Sequence, residues 1–465
     1  MSAFLHLPVL LAAVREVVPA RAQMATTLGF HIILACFGIA FPTIVLIAEY
    51  IGLKRSDEVA MTLARRWSQA LGVLVAVGAV TGTVLSFEMG LLWPGLMRRY
   101  GSVIGLPFAL EGIFFFLEAI FTGIYLYGWR RLAPWAHFWS GIPIAISGIF
   151  GALSVMAANS WMNQPGGFTM KAGRVVSVDT LKVFFNRAAV YEMPHMLLAA
   201  YLVAGFAVAS VYAVGFLRGR RDRYHRLGFA IPFVLAAALT PVEFFVGDTA
   251  ARAIAHDQPI KFATMEYVTH TTRQAPEYLG GVYVGGHVYA GIRIPDLDSL
   301  LVGFSTHTKV IGLDSVAPAD RPPVPWLIHL AFDVMAGLGS LSLIPLLWLI
   351  LAWWRRRSLP RHRWFWLLAA GAGPAAVVAM EAGWIVTEVG RQPWVVYRLL
   401  TTAQAATTNG GVIDTLTAVI ILYAALGVST VLILRLLARR WHQGADDVGA
   451  IPYGPPSVPS AGGMR

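Results

Sequence analysis

Nine apolar runs, each long enough to cross the hydrocarbon core of a bilayer, constrain this chain more than any other feature. They fall at roughly 25–53, 69–93, 107–129, 138–160, 193–217, 228–247, 325–354, 364–389 and 411–435, against the ~20 residues that a spanning helix needs. In lipid each backbone polar group must be paired within its own segment, so runs of this length read as helices. Only 13% of the 465 residues are charged, where a soluble domain carries about a quarter. The net charge of +11 is therefore no nucleic-acid footprint: the basic residues gather in short loops, where they set topology. The single cysteine, Cys36, lies inside the first run, so no disulfide closes within the chain, and no Cys-x-x-Cys-His offers covalent attachment for a c-type haem. The expected fold is an all-α integral membrane protein of about nine transmembrane helices.

Between the sixth and seventh runs lies a long polar segment, 248–324, with GG-x-Y-x-GG from Gly280 to Gly286 and Arg321-Pro322-Pro323. A loop of that length is usually functional, and it is expected to fold on the membrane surface. It divides a first helical block, 25–247, from a second, 325–440. Residues 1–24 contain a short apolar run without an early basic region, read as a surface-lying helix rather than a cleaved signal peptide. Residues 441–465, rich in Gly, Pro and Ser from about Gly444, read as a disordered tail. The short loops at 53–68, 129–137, 217–227 and 355–363 hold 16 Lys/Arg in 45 residues, against 8 in 66 for those at 94–106, 162–192 and 389–410. That asymmetry puts the N-terminus and the 248–324 segment outside and the C-terminus in the cytoplasm.

Ionisable residues inside such runs are costly and mark functional sites. Glu381 sits in the eighth run, in EAGWIVTEVGRQPW, where Gly390 and Pro393 stop the helix and Arg391 and Trp394 suit an interface. His31 lies roughly 10 Å inside the first run, and Glu381 a similar distance inside the eighth. Glu111 and Glu118 stand seven residues apart on one helical face, Glu111 in the first turn or two of the third run, a spacing that suits a proton relay. His195 lies near the outer end of the fifth run and Met335 about ten residues into the seventh. Nearly all fall in the outer half of the membrane, which points to one layered site. Haem iron accepts His alone or His with Met. His195 with Met335 would make a six-coordinate electron-transfer haem; His31 and Glu381 would be axial ligands of further haems, one left open for dioxygen. Set against this, a lone His or Met in an apolar helix is often a packing residue, and Glu88 could simply snorkel. Two other classes stay open on these residues alone: a secondary transporter with intramembrane carboxylates, or a haem-bearing electron-transfer subunit that reduces no oxygen.

From about Arg21 to Arg440 the chain resembles subunit I of the cytochrome bd-type quinol oxidases. The matching stretches are RAQMATTLGFH (Arg21–His31), LEGIFFFLE (Leu110–Glu118), ANSWMNQP (Ala158–Pro165), His195, Gly247-Asp248, KFATME (Lys261–Glu266), FDVM (Phe332–Met335) and EAGW followed by GRQPW. The resemblance implies a terminal oxidase of the bacterial cytoplasmic (inner) membrane that oxidises ubiquinol or menaquinol and reduces dioxygen to water, generating a proton-motive force without pumping. It implies a low-spin haem b on His195 and Met335, and a high-spin haem b with a haem d, or a further haem b, on His31 and Glu381. Glu111 and Glu118 would serve the proton route, Lys261 and Glu266 would bind quinol in the 248–324 loop, and Arg391 would hold haem propionates. A second large subunit and a small single-helix accessory subunit would be partners, beside the lipid bilayer. Two positions depart from the pattern: Asp333 where many members have Arg, and Val377 where many have Trp. With LSFEMG (Leu85–Gly90), they resemble the cyanide-insensitive branch, whose members carry little or no d-type haem.

Overall fold

The computed structural model describes residues 2–284 and 287–443, with side chains from Glu16 onward, His442 excepted. The expected disordered tail beyond Gly444 lies outside these residues, as do Gly285 and Gly286 of the GG-x-Y-x-GG pattern. In chain order the helices are α1 (Ser2–Arg55), α2 (Glu58–Leu92), α3 (Pro94–Gly128), α4 (Pro134–Asn163), α5 (Thr180–Phe184), α6 (Ala189–Leu217), α7 (Arg223–Asp257), α8 (Pro259–Met265), α9 (Leu297–Gly303), α10 (Pro325–Leu341), α11 (Leu343–Arg356), α12 (Arg363–Gly390), α13 (Thr402–Ala405) and α14 (Val412–His442). Between them run β1 (Phe168–Lys171), β2 (Arg174–Val178), β3 (Glu277–Leu279), β4 (Val282–Val284), β5 (His287–Tyr289), β6 (Ile292–Ile294), β7 (Trp394–Val396) and β8 (Leu400–Thr401).

Among the described residues nine helical stretches are long and apolar enough to cross a membrane. They begin where local chemistry lets a helix begin. Pro94, Pro134, Pro259 and Pro325 stand in the first turns of α3, α4, α8 and α10, where the missing N–H costs nothing. Asp57 caps α2 by accepting from the Val59 and Ala60 amides, and Asp222 caps α7 by accepting from His225. The first span is the most enclosed, packing on α2, α4, α6 and α14, and one core of Phe, Leu and Ala side chains joins α1, α2, α6, α7 and α12.

Four differences from the sequence expectations have physical causes. The first helix runs unbroken from Ser2 to Arg55, so no break at residue 24 separates a surface helix from the first span. The sixth span continues to Asp257, ten residues past its apolar run, because Asp248–Asp257 is rich in alanine and helix-forming though not apolar. The segment between the sixth and seventh spans therefore starts at Gln258. The seventh span is two helices, α10 and α11, parted at Ser342; Pro345 has no N–H to offer the Leu341 carbonyl one turn earlier. The fold is also not purely helical: four two-stranded antiparallel ribbons, β1–β2, β3–β6, β4–β5 and β7–β8, shape the segments between spans.

Candidate cofactor site

Each of the four candidate ligands faces a glycine of a neighbouring helix. A Cβ added at Gly82 would come 3.0 Å from His31 Cε1, one at Gly29 3.4 Å from Glu381 Oε2, one at Gly383 2.9 Å from Met335 Sδ, and one at Gly247 3.7 Å from His195 Cε1. The same holds for Glu118, whose Oε1 would meet a Cβ at Gly38 at 3.2 Å. Glycine backbone thus lies beside every donor.

Thr81 holds the ring of His31. Thr81 Oγ1 lies 2.9 Å from His31 Nδ1 and 3.2 and 3.1 Å from the Val77 and Gly78 carbonyls. In the tautomer in which the hydroxyl donates to a carbonyl and accepts from Nδ1, Nε2 keeps its lone pair. His195 Nδ1 lies 3.0 Å from Glu243 Oε1, near enough for an ion pair although Nδ1 is buried without hydrogen-bond geometry to a partner; a carboxylate in that place suits a metal-binding imidazole. The His195 side chain is 33% exposed. Glu381 Oε1 is buried without a hydrogen-bond partner. Among the described residues no three His, Cys, Asp or Glu side chains converge to hold a metal. Single donors suit an iron that brings its own four nitrogens, needing only axial ligands from the protein. The residues present therefore fit porphyrin groups.

A buried polar network lies beyond these donors. Lys261 is 3% exposed and its Nζ is 3.5 Å from Asn163 Oδ1. Burial pulls its ammonium down to about 8, with Arg391 adding to the effect and Glu192 and Glu388 opposing it. Asn163 Oδ1 also accepts from Arg391 at 3.1 Å, and Asn163 Nδ2 donates to Glu192 at 2.8 Å. Arg391 donates to Glu388 at 2.6 Å, while Glu388 Oε1 accepts from Asn159 at 2.7 Å. The guanidinium Nε of Arg391 is buried without a partner. Arg391 is thus an interior residue rather than an interface residue, and it ties ANSWMNQP to GRQPW and to Lys261. Glu266, at the C-terminal cap of α8, is buried. Burial first, then the charges of Asp298, Glu277 and Asp333, push its carboxyl well above the usual range.

Some expectations need correction. Because α3 begins at Pro94, Glu111 lies in its fifth turn rather than its first or second, and Glu118 lies ten residues from the far end at Gly128. The two do share a face, which Tyr125 continues after another seven residues. Glu88 does not snorkel: it is 4% exposed, and its Oε1 accepts from Gln23 at 2.9 Å and Thr27 at 3.0 Å. Sequence reasoning passed over Glu192, which carries no signature beyond lying three residues before His195. It also passed over His137, whose Nδ1 and Nε2 lie 2.7 Å from Glu49 and 2.9 Å from the Tyr125 carbonyl. His329, buried in α10, was missed too.

Fold and donor set together define a class: a polytopic membrane protein equipped for redox chemistry. Residues 19–442 match the family described as cytochrome bd terminal oxidase subunit I. A Bacillus subtilis (strain 168) relative, provisionally named a cytochrome bd menaquinol oxidase subunit I, is 32% identical over 91% of this chain and 97% of its own. Subunit 1 of the cytochrome bd-II ubiquinol oxidase of Escherichia coli (strain K12) is 25% identical over 90% and 95%. Among solved structures, the bd oxidase from Geobacillus thermodenitrificans superposes with a TM-score of 0.84 at 34% identity, covering 91% of this chain and 98% of that one. The chain belongs to the cytochrome bd terminal oxidase subunit I family. It is a quinol oxidase subunit of the bacterial inner membrane, in a haem-containing family, with a second subunit as partner and quinol and dioxygen as substrates. Membership decides against the transporter.

Proposed function

We propose that this chain oxidises quinol at the extracytoplasmic face and reduces dioxygen, and that its residues would hold three porphyrin groups. His195 and Met335 would hold a low-spin haem b, and His31 and Glu381 a high-spin haem b and either a haem d or a further haem b. When bound, these groups supply one-electron transfer and the reduction of dioxygen to water. Lys261, titrating near neutrality, donates to a quinol oxygen, and Glu266 takes up quinol protons. Asn163 and Glu388 fix the Arg391 guanidinium, whose remaining Nε is available to a propionate carboxylate. Glu118 and Glu111 hold protons along one face of α3 on the way to the oxygen site.

The basic loops support an N-terminus outside and a C-terminus in the cytoplasm. Quinol protons then leave outside while those for water come from within, so a membrane potential arises by placement, without pumping. A small single-helix subunit completes the assembly beside subunit II. The quinol is ubiquinol or menaquinol; relatives are named for each.

The observation that carries this reading is the set of four single donors, each backed by a glycine. An optical spectrum of the purified protein with haem extraction tests it. High-spin haem that binds CO is expected. Low-spin haem alone would reduce the chain to an electron relay, and a colourless, folded preparation would overturn the reading.

A further inference from the structure

The segment between α7 and α10 buries acidic groups for which the reading above gives Glu266 alone a use. Glu266 is 5% exposed and Asp298, on α9, 1%; Glu277, on β3, is half-buried. Glu266 Oε2, Asp298 Oδ2 and Glu277 Oε2 are all buried without a hydrogen-bond partner. Three elements distant in sequence thus bring acids into mutual range. Burial and Glu277 raise Asp298 to about 9, and burial and Asp333 raise Glu277. Burial and these mutual charges disfavour their ionised forms together, so the three titrate as a group.

The cation in their midst is His329. Its Nδ1 lies 2.5 Å from the Met265 carbonyl and its Nε2 3.0 Å from the Gly280 carbonyl. Carbonyl oxygens only accept, so both ring nitrogens carry hydrogen and the ring is an imidazolium. Tyr267 stacks on it at 3.8 Å. Asp333 Oδ2 pairs with Nε2 at 3.3 Å and accepts from the Gly280 amide at 2.6 Å. His329 thus locks the carbonyl next to Glu266 to the start of the Gly280 turn.

We propose that Glu266, Asp298 and Glu277 form the proton outlet of the quinol site, and that His329 is the fixed cation positioning it. The proposal rests on quinol oxidation at Lys261 and Glu266. Each quinol becomes quinone, releasing two electrons and two protons. The electrons would leave singly for the haem that His195 and Met335 would hold. Each proton enters at Glu266 as another passes by Asp298 and Glu277 to water, Glu277 being the most open of the three. Glu277, Asp298, Asp333 and His329 face Glu266 from β3, α9 and α10. On α12, which also packs on α8, Arg391 and Glu388 engage the Lys261 network instead. From α7, His256 and Asp257 turn to Arg187.

The test uses the complete oxidase in vesicles, with quinol oxidation followed against pH and an impermeant dye reporting released protons. Asp298→Asn and Glu277→Gln should slow quinol-driven haem reduction about tenfold or more, enlarge the solvent isotope effect, and leave the haem spectrum and quinol KM intact. Glu277→Gln removes a like charge where that carboxyl is ionised, so its acid limb should move to lower pH, whereas Asp298, protonated up to about 9, should leave the limb in place when changed to Asn. His329→Gln removes the cation, and its acid limb should move to higher pH, by about one unit. Glu277→Gln and His329→Gln limbs that stay put, or that move the same way, would overturn the outlet. Should His329→Gln fail to fold, the half-exposed Glu277→Gln decides alone, a wild-type rate and limb counting against it. If wild-type protein oxidises no quinol, the underlying reading has failed instead.

Discussion

Gly383→Ala is the sharpest probe of the proposed low-spin centre. A Cβ at that position comes 2.9 Å from Met335 Sδ and 3.7 Å from Cγ. Carbon contacts settle at about 3.5–4.0 Å, so the sulfur must retreat by roughly 0.6–1.1 Å. Metal–ligand bonds tolerate only about 0.2 Å. The fold should not suffer: Ala gains about 0.5–1 kcal/mol over Gly in a helix interior, and the crowded atom ends a flexible side chain. The substitution would therefore take the thioether off a haem iron held there while leaving the helix in place. A redox difference spectrum should lose the low-spin band, and a potentiometric titration should find a lower midpoint, since a Met ligand raises it. Gly247→Ala is the control, because its Cβ meets His195 Cε1 at 3.7 Å, an ordinary contact. An unchanged band and midpoint in Gly383→Ala would refute Met335 as a ligand held here. Equal loss in Gly247→Ala would show that added bulk, not displaced sulfur, is responsible.

Three further outcomes follow from the same geometry. Thr81→Val removes the hydroxyl partner of His31 Nδ1, and haem retention at that site should weaken about 10–100-fold in extraction assays, with the His195-linked band unaffected. Glu118→Gln should slow oxygen consumption at least about tenfold while the spectrum of the isolated protein stays normal; a normal rate would remove Glu118 from the proton route. Lys261 is a base held down at about 8, so it is charged below that value and neutral above it. The KM for quinol should therefore climb as pH rises through about 8, and Lys261→Arg should abolish that climb; a flat wild-type profile would exclude the ammonium as donor.

The helical fold was legible because hydropathy reports what lipid demands. It failed where helix and hydropathy part company: Asp248–Asp257 is helical but not apolar, and α3 starts thirteen residues before its apolar run. Depth assignments inherited that error, which is why Glu111 and Glu118 sit further along α3 than their run suggested. The candidate ligands were legible one by one, as costly groups in apolar surroundings. Their glycine partners were not legible as partners: Gly29, Gly247 and Gly383 fall inside the matching stretches, but only packing shows that each lies against a candidate ligand.

Asp333 shows how a departure in sequence can be answered in space. An acid where many members carry a base reads, on sequence alone, as the loss of a positive charge beside Met335. The structure places the buried His329 four residues earlier on α10, one turn away, with both ring nitrogens donating. The cation is still present, but it is clamped by the Met265 and Gly280 carbonyls and paired with Asp333. An alignment column cannot record that change, because the acid and its compensating imidazolium occupy different positions. It becomes visible only when donors and acceptors are counted around one buried ring.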